Sequence, residues 1–279
     1  VSSSYFGVRC SDRGFIFDVG GSSGFIDDKF QRIGFAGLLC SKTAFAFIKT
    51  LNPTLNFQVE NIQALPSVKS FSNQMYETAS NAIGLARVDW DAYERSWDFQ
   101  SLPLLTAFSD PTPTLESSYT AWIASNRDTI AEMKRLEEEN NRLFIDAYGL
   151  ADELTPDVPI EQITLTVNPA YRYGGKLTEE EQWTRFRQDT MEELVSYAVG
   201  CMMGRYSLDA PGLIYAHSSN EGFDPSQYTT FPADDDGIVP LTDTEWFEDD
   251  ACNRVIEFIS KAWDESHLEA NLAFLAENL

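Results

Sequence analysis

The chain has 279 residues, with 44 acidic against 20 basic side chains and a formal net charge of −24. Its hydrophobic fraction of 43% and aromatic fraction of 13% suffice for a buried core, which excludes a disordered acidic tail and a low-complexity chain. No window approaches the ~18 consecutive apolar residues of a membrane span, so we expect no membrane partner. Four cysteines far apart, without a CxxC pair, favour reduced thiols and a cytoplasmic location.

The charge is divided unevenly along the chain. Residues 1–66 carry six basic and five acidic side chains, whereas residues 67–279 carry 14 basic and 39 acidic ones, a net of −25. This asymmetry predicts two domains with different partners, divided after residue 66. Because a surface at −25 repels polyphosphate, we expect nucleic-acid contacts only in the first domain.

The first domain shows a strand, a helix and a second extended segment. The apolar run Phe15–Val19 predicts a strand that ends at a glycine turn. Residues 28–50 place large apolar side chains at helical spacing, which predicts one buried helix ending near Leu51. Residues 57–65 look extended. This order predicts a small α/β region within an α+β chain that is predominantly helical.

After residue 66 the pattern becomes mainly helical. Thr178 with Glu181 three residues later is a capping-box pattern that starts one of these helices. Residues 207–245 are rich in Gly, Pro, Ser and Asp, which predicts an irregular ordered segment. We predict one or two helices over residues 68–95. One helix is predicted over each of the ranges 115–147, 178–203, 250–263 and 266–277.

Two short motifs suggest methyl-transfer chemistry within the chain itself. Asp18–Gly24 follows a predicted strand, where a nucleotide-type glycine loop would lie, and Asn168–Tyr171 is similar to the Asn-Pro-Pro-Tyr motif of amino-methyltransferases. Together they would make the chain an autonomous small methyltransferase. However, the glycines do not match GxGxxG, and Ala170 replaces the second proline. A structural turn and an ordinary loop are therefore the favoured interpretations, and we assign no catalytic or cofactor-binding residue.

Other chemistry has weak support in the sequence. The only histidines are His217 and His267, far apart and without ligand spacing for zinc. Asp234–Asp236 fails the alternation of an EF-hand, which favours a solvated acidic loop. We therefore predict no metal site.

The polar residues around the predicted helix 28–50 are the candidates for DNA binding. Basic side chains there could contact phosphate, and amide side chains have the geometry to recognise base edges. The alternative is that the cations are solvated and the amides satisfy turn backbone. The candidates are Lys29, Arg32, Lys42, Lys49, Asn52, Asn56 and Gln58.

An ordered series of motifs extends over nearly the whole chain. It includes Phe15–Ser23, Leu51–Val59, Glu138–Phe144 and Gly200–Leu208. With these motifs the chain resembles the target-recognition region and C-terminal part of PglX-like adenine-specific DNA methyltransferases of BREX phage-defence systems. These enzymes are related to type IIG restriction-modification enzymes.

The resemblance implies a division of labour with a region preceding Val1. That region would bind S-adenosylmethionine and methylate adenine N6, so the chain itself would hold no cofactor and be inactive alone. Residues 1–66 would end a target-recognition domain, and residues 67–279 would form an acidic helical support. The implied partners are double-stranded DNA and other phage-defence proteins. An acidic protein-interaction module without a DNA role is the remaining alternative.

Overall fold

A computed structural model describes residues 6–11, 14–17, 22–54, 57–107, 111–217, 221–244 and 246–279. Within these residues the regular structure is helical, with short 3₁₀ turns between the α-helices. The α-helices are α1 Lys29–Leu39, α2 Lys42–Leu51, α3 Val59–Gln63, α4 Asn73–Asp91, α5 Leu115–Tyr148, α6 Pro169–Tyr173, α7 Glu179–Met202, α8 Ala251–Ala262 and α9 Leu268–Glu277.

The chain divides into two compact units. Unit 1 comprises residues 1–87 and 129–164, and unit 2 comprises residues 88–128 and 165–279, so α4 and α5 each contribute to both. Unit 1 has 11 basic and 15 acidic side chains, and unit 2 has 9 and 29, which gives formal charges of −4 and −20. The acidity of the chain therefore belongs mainly to unit 2. The domain division after residue 66 stays a prediction.

The prediction of a small α/β end is wrong for the part of residues 1–66 that the structure describes. No strand is present there. Phe15–Phe17 is an exposed irregular segment with no partner strand, and residues 18–19 of the predicted strand lie outside the described residues. The predicted extended segment 57–65 contains α3, which begins with a capping box between Gln58 and Asn61. These apolar residues therefore do not mark strands.

The single helix predicted over residues 28–50 is two helices, α1 and α2, bent by 67° at their junction. The break falls at Ser41, whose hydroxyl forms hydrogen bonds to the end of α1 and to the start of α2. It donates to Leu38 O at 2.7 Å and accepts from Ala44 N at 3.2 Å, so it satisfies both helix ends. Apolar spacing continues through the junction, which is why periodicity alone predicted one helix.

Unit 1 has a core of aromatic and aliphatic side chains from α1, α2, α4, α5 and the residues just before α4. Leu38, Ala44, Phe71, Met75 and Phe144 form its buried centre. Helix α1 approaches this core closely through glycines, since a Cβ on Gly34 would lie 2.4 Å from the Phe71 ring.

Two adjacent asparagines on α5 tie other segments of unit 1 together. Asn140 Nδ2 donates to Gly37 O at 2.9 Å. Asn141 Oδ1 accepts from Lys42 N at 2.9 Å, and its Nδ2 donates to Pro156 O at 3.1 Å. These three bonds fix α1, α2 and the loop at Pro156 on α5. The other polar atom of Asn140, its buried side-chain oxygen, has no hydrogen-bond partner among the described residues.

Unit 2 is built around α7, whose N-terminus has the predicted capping box between Thr178 and Glu181. Phe186, Leu194 and Tyr197 on this helix are buried. Tyr197 stacks on Tyr206 with ring centroids 5.1 Å apart. The predicted helices near residues 68–95, 115–147, 178–203, 250–263 and 266–277 are confirmed as α4, α5, α7, α8 and α9, and the described part of residues 207–245 is irregular as predicted.

The length and hydropathy of the helices bear on whether they could cross a membrane. Within the described residues no single helix is long and apolar enough for a bilayer crossing, although the bent pair α1 and α2 would pass on those criteria together. Ile33 and Leu38 of α1 and Ile48 of α2 are buried within unit 1.

Candidate nucleic-acid interface

Lys29 and Lys49 are the predicted cations that remain available on the surface. Lys29 is the first residue of α1, and Lys49 lies in the last turn of α2. Both are exposed, and neither forms an ion pair with a described residue. The Lys49 ammonium lies 5.1 Å from the centre of the Phe45 ring, a cation–π contact made by an exposed side chain.

These two lysines lie at opposite ends of the α1–α2 pair. Each helix is roughly 15 Å long at 1.5 Å per residue. With the 67° bend, the far ends of the pair are roughly 25 Å apart. Such a separation suits contacts to different phosphates of a duplex, and it does not suit a single anion pocket.

Arg32 and Lys42 are committed to the backbone of unit 1. Arg32 Nη1 donates to Ile26 O at 2.7 Å and to Asp27 O at 3.3 Å, which fixes the chain entering α1. The Lys42 ammonium donates to Asp157 O, and Lys42 is half-buried. Their charges can still contribute to the local field, but their donors are partly used.

The amide candidates that the structure describes, Asn52 and Gln58, form hydrogen bonds within the turn between α2 and α3. Asn52 Oδ1 accepts from Thr54 N at 3.0 Å, and its Nδ2 donates to Asn61 Oδ1 at 3.0 Å. Gln58 begins α3, and its backbone N donates to Asn61 Oδ1 at 2.9 Å. Asn56 lies outside the described residues. The Asn52 amide therefore has a local structural task, as the alternative interpretation expected.

Sequence reasoning missed two further cations of unit 1. Arg9 and Lys69 are exposed and make no ion pair with a described residue. Arg9 is close enough to Cys40, at the end of α1, to lower the pKa of its thiol. The net positive charge of residues 1–66 was the sequence signal that could have indicated Arg9. No sequence pattern around Lys69 indicated that residue.

A half-buried carboxyl group, that of Glu137, lies near the same helix end. Burial raises the pKa of Glu137 on α5 to about 7, and no other cause contributes. Burial also raises the pKa of the Cys40 thiol, and the Glu137 carboxylate raises it further. Cys40 is therefore a neutral thiol bonded to Val8, not an activated nucleophile.

The Asn168–Tyr171 motif is part of a helix start in unit 2. Asn168 is buried, and its side-chain oxygen accepts from Ala170 N at 3.2 Å as the cap of α6. The Asp89 carboxylate holds the preceding turn by accepting from Thr166 N at 2.8 Å and Val167 N at 2.9 Å. The side-chain oxygen of Asn168 is therefore engaged in capping α6. In the glycine motif Asp18–Gly24, residues 18–21 lie outside the described residues, and Ser22–Gly24 is exposed irregular chain.

The acidic loop has a structural role. Asp234 Oδ1 accepts from the backbone N of Asp236, Gly237 and Ile238 at 2.8–3.2 Å, which closes a tight turn. Among the described residues no group of three or more His, Cys, Asp and Glu side chains is arranged to hold a metal ion.

The whole chain is similar in sequence to parts of two known proteins. No family model matches the chain. The whole chain aligns at 38% identity with the adenine-specific methyltransferase BrxX of Escherichia coli O9:H4 (strain HS). It also aligns at 33% identity with the adenine-specific methyltransferase PglX of Lacticaseibacillus casei (strain Zhang). The chain is a homologue of one region of these methyltransferases.

The resemblance predicted from the sequence motifs is thereby confirmed. The alignments cover 100% of the chain but only 23% of BrxX and 22% of PglX, so the chain spans less than a quarter of these curated relatives. Identity at this level over about 285 residues implies a shared fold for the aligned region. The alignments do not show which part of the complete relatives carries their activity.

Proposed function

We propose that the chain is the DNA-recognition and supporting region of an S-adenosylmethionine-dependent DNA methyltransferase that modifies adenine N6 in phage defence. The observation that carries this proposal is the similarity of the entire chain to less than a quarter of two adenine-specific methyltransferases. In this proposal the rest of the polypeptide binds the cofactor and transfers the methyl group. The cytoplasm is the proposed location, since DNA and cofactor are both there.

The distribution of charge supports a DNA contact through unit 1. This unit carries a formal −4 against −20 for unit 2, and Arg9, Lys29, Lys49 and Lys69 present exposed positive charge. Phosphate contacts position a duplex and need only such accessible cations. Unit 2 repels DNA at long range, so its proposed role is to support unit 1 and to contact proteins, including other phage-defence components.

The two alternatives have less support. For an autonomous methyltransferase, Asn168 would have to offer its side chain to the target amino group, yet it is buried and caps α6. An acidic protein-interaction module would explain unit 2, but it gives no reason for similarity to methyltransferases over residues of both units.

The test uses the complete methyltransferase that contains this region, with Lys29→Glu and Lys49→Glu combined. Transfer of labelled methyl groups from S-adenosylmethionine to adenine in duplex DNA measures activity, and titrations over a range of NaCl concentrations measure binding. If each lysine contacts one phosphate, the slope of log K against log salt falls in magnitude by about 2. Affinity at moderate salt falls about 10- to 100-fold.

The matched control is Lys176→Glu combined with Lys261→Glu, which makes the same charge change at exposed lysines of unit 2. This control is expected to bind DNA nearly as the unaltered enzyme does. Equal losses in both double variants, or none in either, would contradict DNA contact through α1 and α2. Absence of adenine methylation by the complete enzyme would contradict the proposed activity.

A further inference from the structure

One loop of unit 2 exposes four large apolar side chains within ten residues. Trp246 is 76% exposed, Leu241 79%, Ile238 68% and Phe247 50%. Single exposed apolar residues are common on protein surfaces, but several in one short segment mark a surface that is covered in the working molecule. We call these four residues the docking segment.

Hydrogen bonds hold the backbone in the first part of the docking segment, over residues 238–242. The Asp234 turn described above accepts from Ile238 N. The Asp250 carboxylate accepts from Thr242 N at 3.0 Å and from the Thr242 hydroxyl at 2.6 Å. Pro240 O also accepts from Ala251 N at 2.8 Å.

Phe247 O also accepts from Asp250 N at 3.3 Å, so hydrogen bonds hold the backbone at Ile238, Thr242 and Phe247. Because the backbone bonds are already formed, covering the side chains costs little additional ordering. Tryptophan and other large side chains on a fixed backbone are the residues that contribute most to interfaces.

The charge around the docking segment restricts what can cover it. Residues 221–253 contain ten acidic side chains and no Lys, Arg or His. The next cation, Arg254, is occupied by Pro232 O and the Glu257 carboxylate. A covering surface must therefore supply basic side chains around an apolar centre. A DNA duplex and a second copy of unit 2, at −20, are both repelled.

We propose that the docking segment packs against a basic, apolar-centred surface on the remaining part of the same methyltransferase polypeptide. This rests on the proposed function, in which the chain is one region of a longer DNA-binding enzyme. The relatives are more than four times as long as the region aligned here. Since this region carries a formal charge of −24, the remaining part of the enzyme is the source of basic side chains that can complement the docking segment.

The test measures whether position 241 is covered in the complete methyltransferase. Leu241→Cys is treated with a maleimide, and peptide mass spectrometry follows its modification separately from that of the native cysteines. Leu241 is largely exposed within this region, so the substitution leaves the core intact. Labelling is expected to be at least tenfold slower in the folded enzyme than in urea. It should not depend on enzyme concentration, because the contact is within one polypeptide.

A second variant, Lys176→Cys, places a thiol at another exposed position of unit 2 and shows that the reagent reaches the folded enzyme. Adding Trp246→Asp to Leu241→Cys is expected to restore fast labelling at position 241. Fast labelling of Leu241→Cys without Trp246→Asp would overturn the proposal, and protection lost on dilution would assign the surface to a second copy instead. Adenine methylation measured on the same samples reports the proposed function independently.

Discussion

At the scale of single residues, the carboxyl group of Glu137 departs from its ordinary ionisation. Its pKa rises from 4.5 to about 7 because burial disfavours the charged carboxylate. In the unfolded chain the group ionises near pH 4.5, so between these two values folding requires the carboxyl to take up a proton. The stability that depends on this group is therefore fully present below about pH 4.5 and is lost as pH rises through about 7.

We predict that Glu137→Gln stabilises the chain in a pH-dependent way. At pH 8 the variant should exceed the unaltered chain by about 2 to 3 kcal/mol in unfolding free energy, and at pH 5 by less than about 1 kcal/mol. Urea unfolding at both pH values measures the difference. Glu132→Gln on the same helix removes an exposed partner of Arg135 and should change stability by less than about 1 kcal/mol at either pH. A constant gain for Glu137→Gln across pH would show that its carboxyl is not shifted.

The candidate DNA-binding residues were predicted from their residue types. Residue type could not show which of these side chains are hydrogen-bonded within the protein itself. Lys29 and Lys49 remain accessible, whereas Asn52 is bonded to Asn61 and Thr54. A turn amide and a base-reading amide have the same chemistry, so sequence cannot separate them. The partner of Lys42, Asp157 O, is 115 residues away, and no local pattern contains that information. The DNA contact itself stays a proposal.

At the scale of helices, α1 packs unusually close to its neighbours. The missing side chain at Gly34 makes room for the Phe71 ring. At Gly37 an added Cβ would lie 2.9 Å from Asn140 Oδ1 and 3.0 Å from the Ala79 Cβ. Glycine normally weakens a helix, so these positions are explained by packing rather than by helix propensity.

We predict opposite effects for two Gly→Ala substitutions. Gly34→Ala should destabilise the chain by about 1 to 3 kcal/mol, because the Phe71 ring has to move. Gly84→Ala, in α4 with no atom within 4 Å of the added Cβ, should stabilise by up to about 1 kcal/mol. Thermal unfolding of both variants provides the measurement. Stabilisation by Gly34→Ala would mean that α1 does not approach Phe71 as described.

Most helices could be predicted from the sequence, but the break between α1 and α2 and the short helix α3 could not. The apolar stripe of α5 and the capping box of α7 act over neighbouring residues, so the sequence contains them directly. The break at Ser41 depends on one hydroxyl within an uninterrupted apolar pattern. Phe15–Phe17 has the composition of a strand, but a strand needs a partner, and partners are not visible in local sequence.

At the scale of the whole molecule, the net charge of −24 opposes folding. Basic residues are too few to pair with the acidic ones, and unit 2 has 29 acidic against 9 basic side chains. Like charges brought together in a compact state repel each other more than in an extended chain. Salt reduces this repulsion because the Debye length falls from about 30 Å at 0.01 M to about 3 Å at 1 M.

We therefore predict that NaCl stabilises the chain. Between 0.01 M and 0.5 M the unfolding free energy should rise by about 1 kcal/mol, as measured by urea titration. Asp235→Asn combined with Asp249→Asn removes two exposed charges of unit 2 and should make the salt dependence weaker. Loss of stability with added NaCl would indicate that attractive ion pairs outweigh repulsion.

The adjacent asparagines of α5 have a consequence for how sequence changes can accumulate in this region. Asn140 and Asn141 point about 100° apart around the helix axis, yet each has its own backbone partners in other segments. Inserting or deleting one residue earlier in α5 would rotate both amides away from those partners at once. We therefore expect the length of α5 before residue 140 to be preserved, or to change by about one turn of the helix at a time.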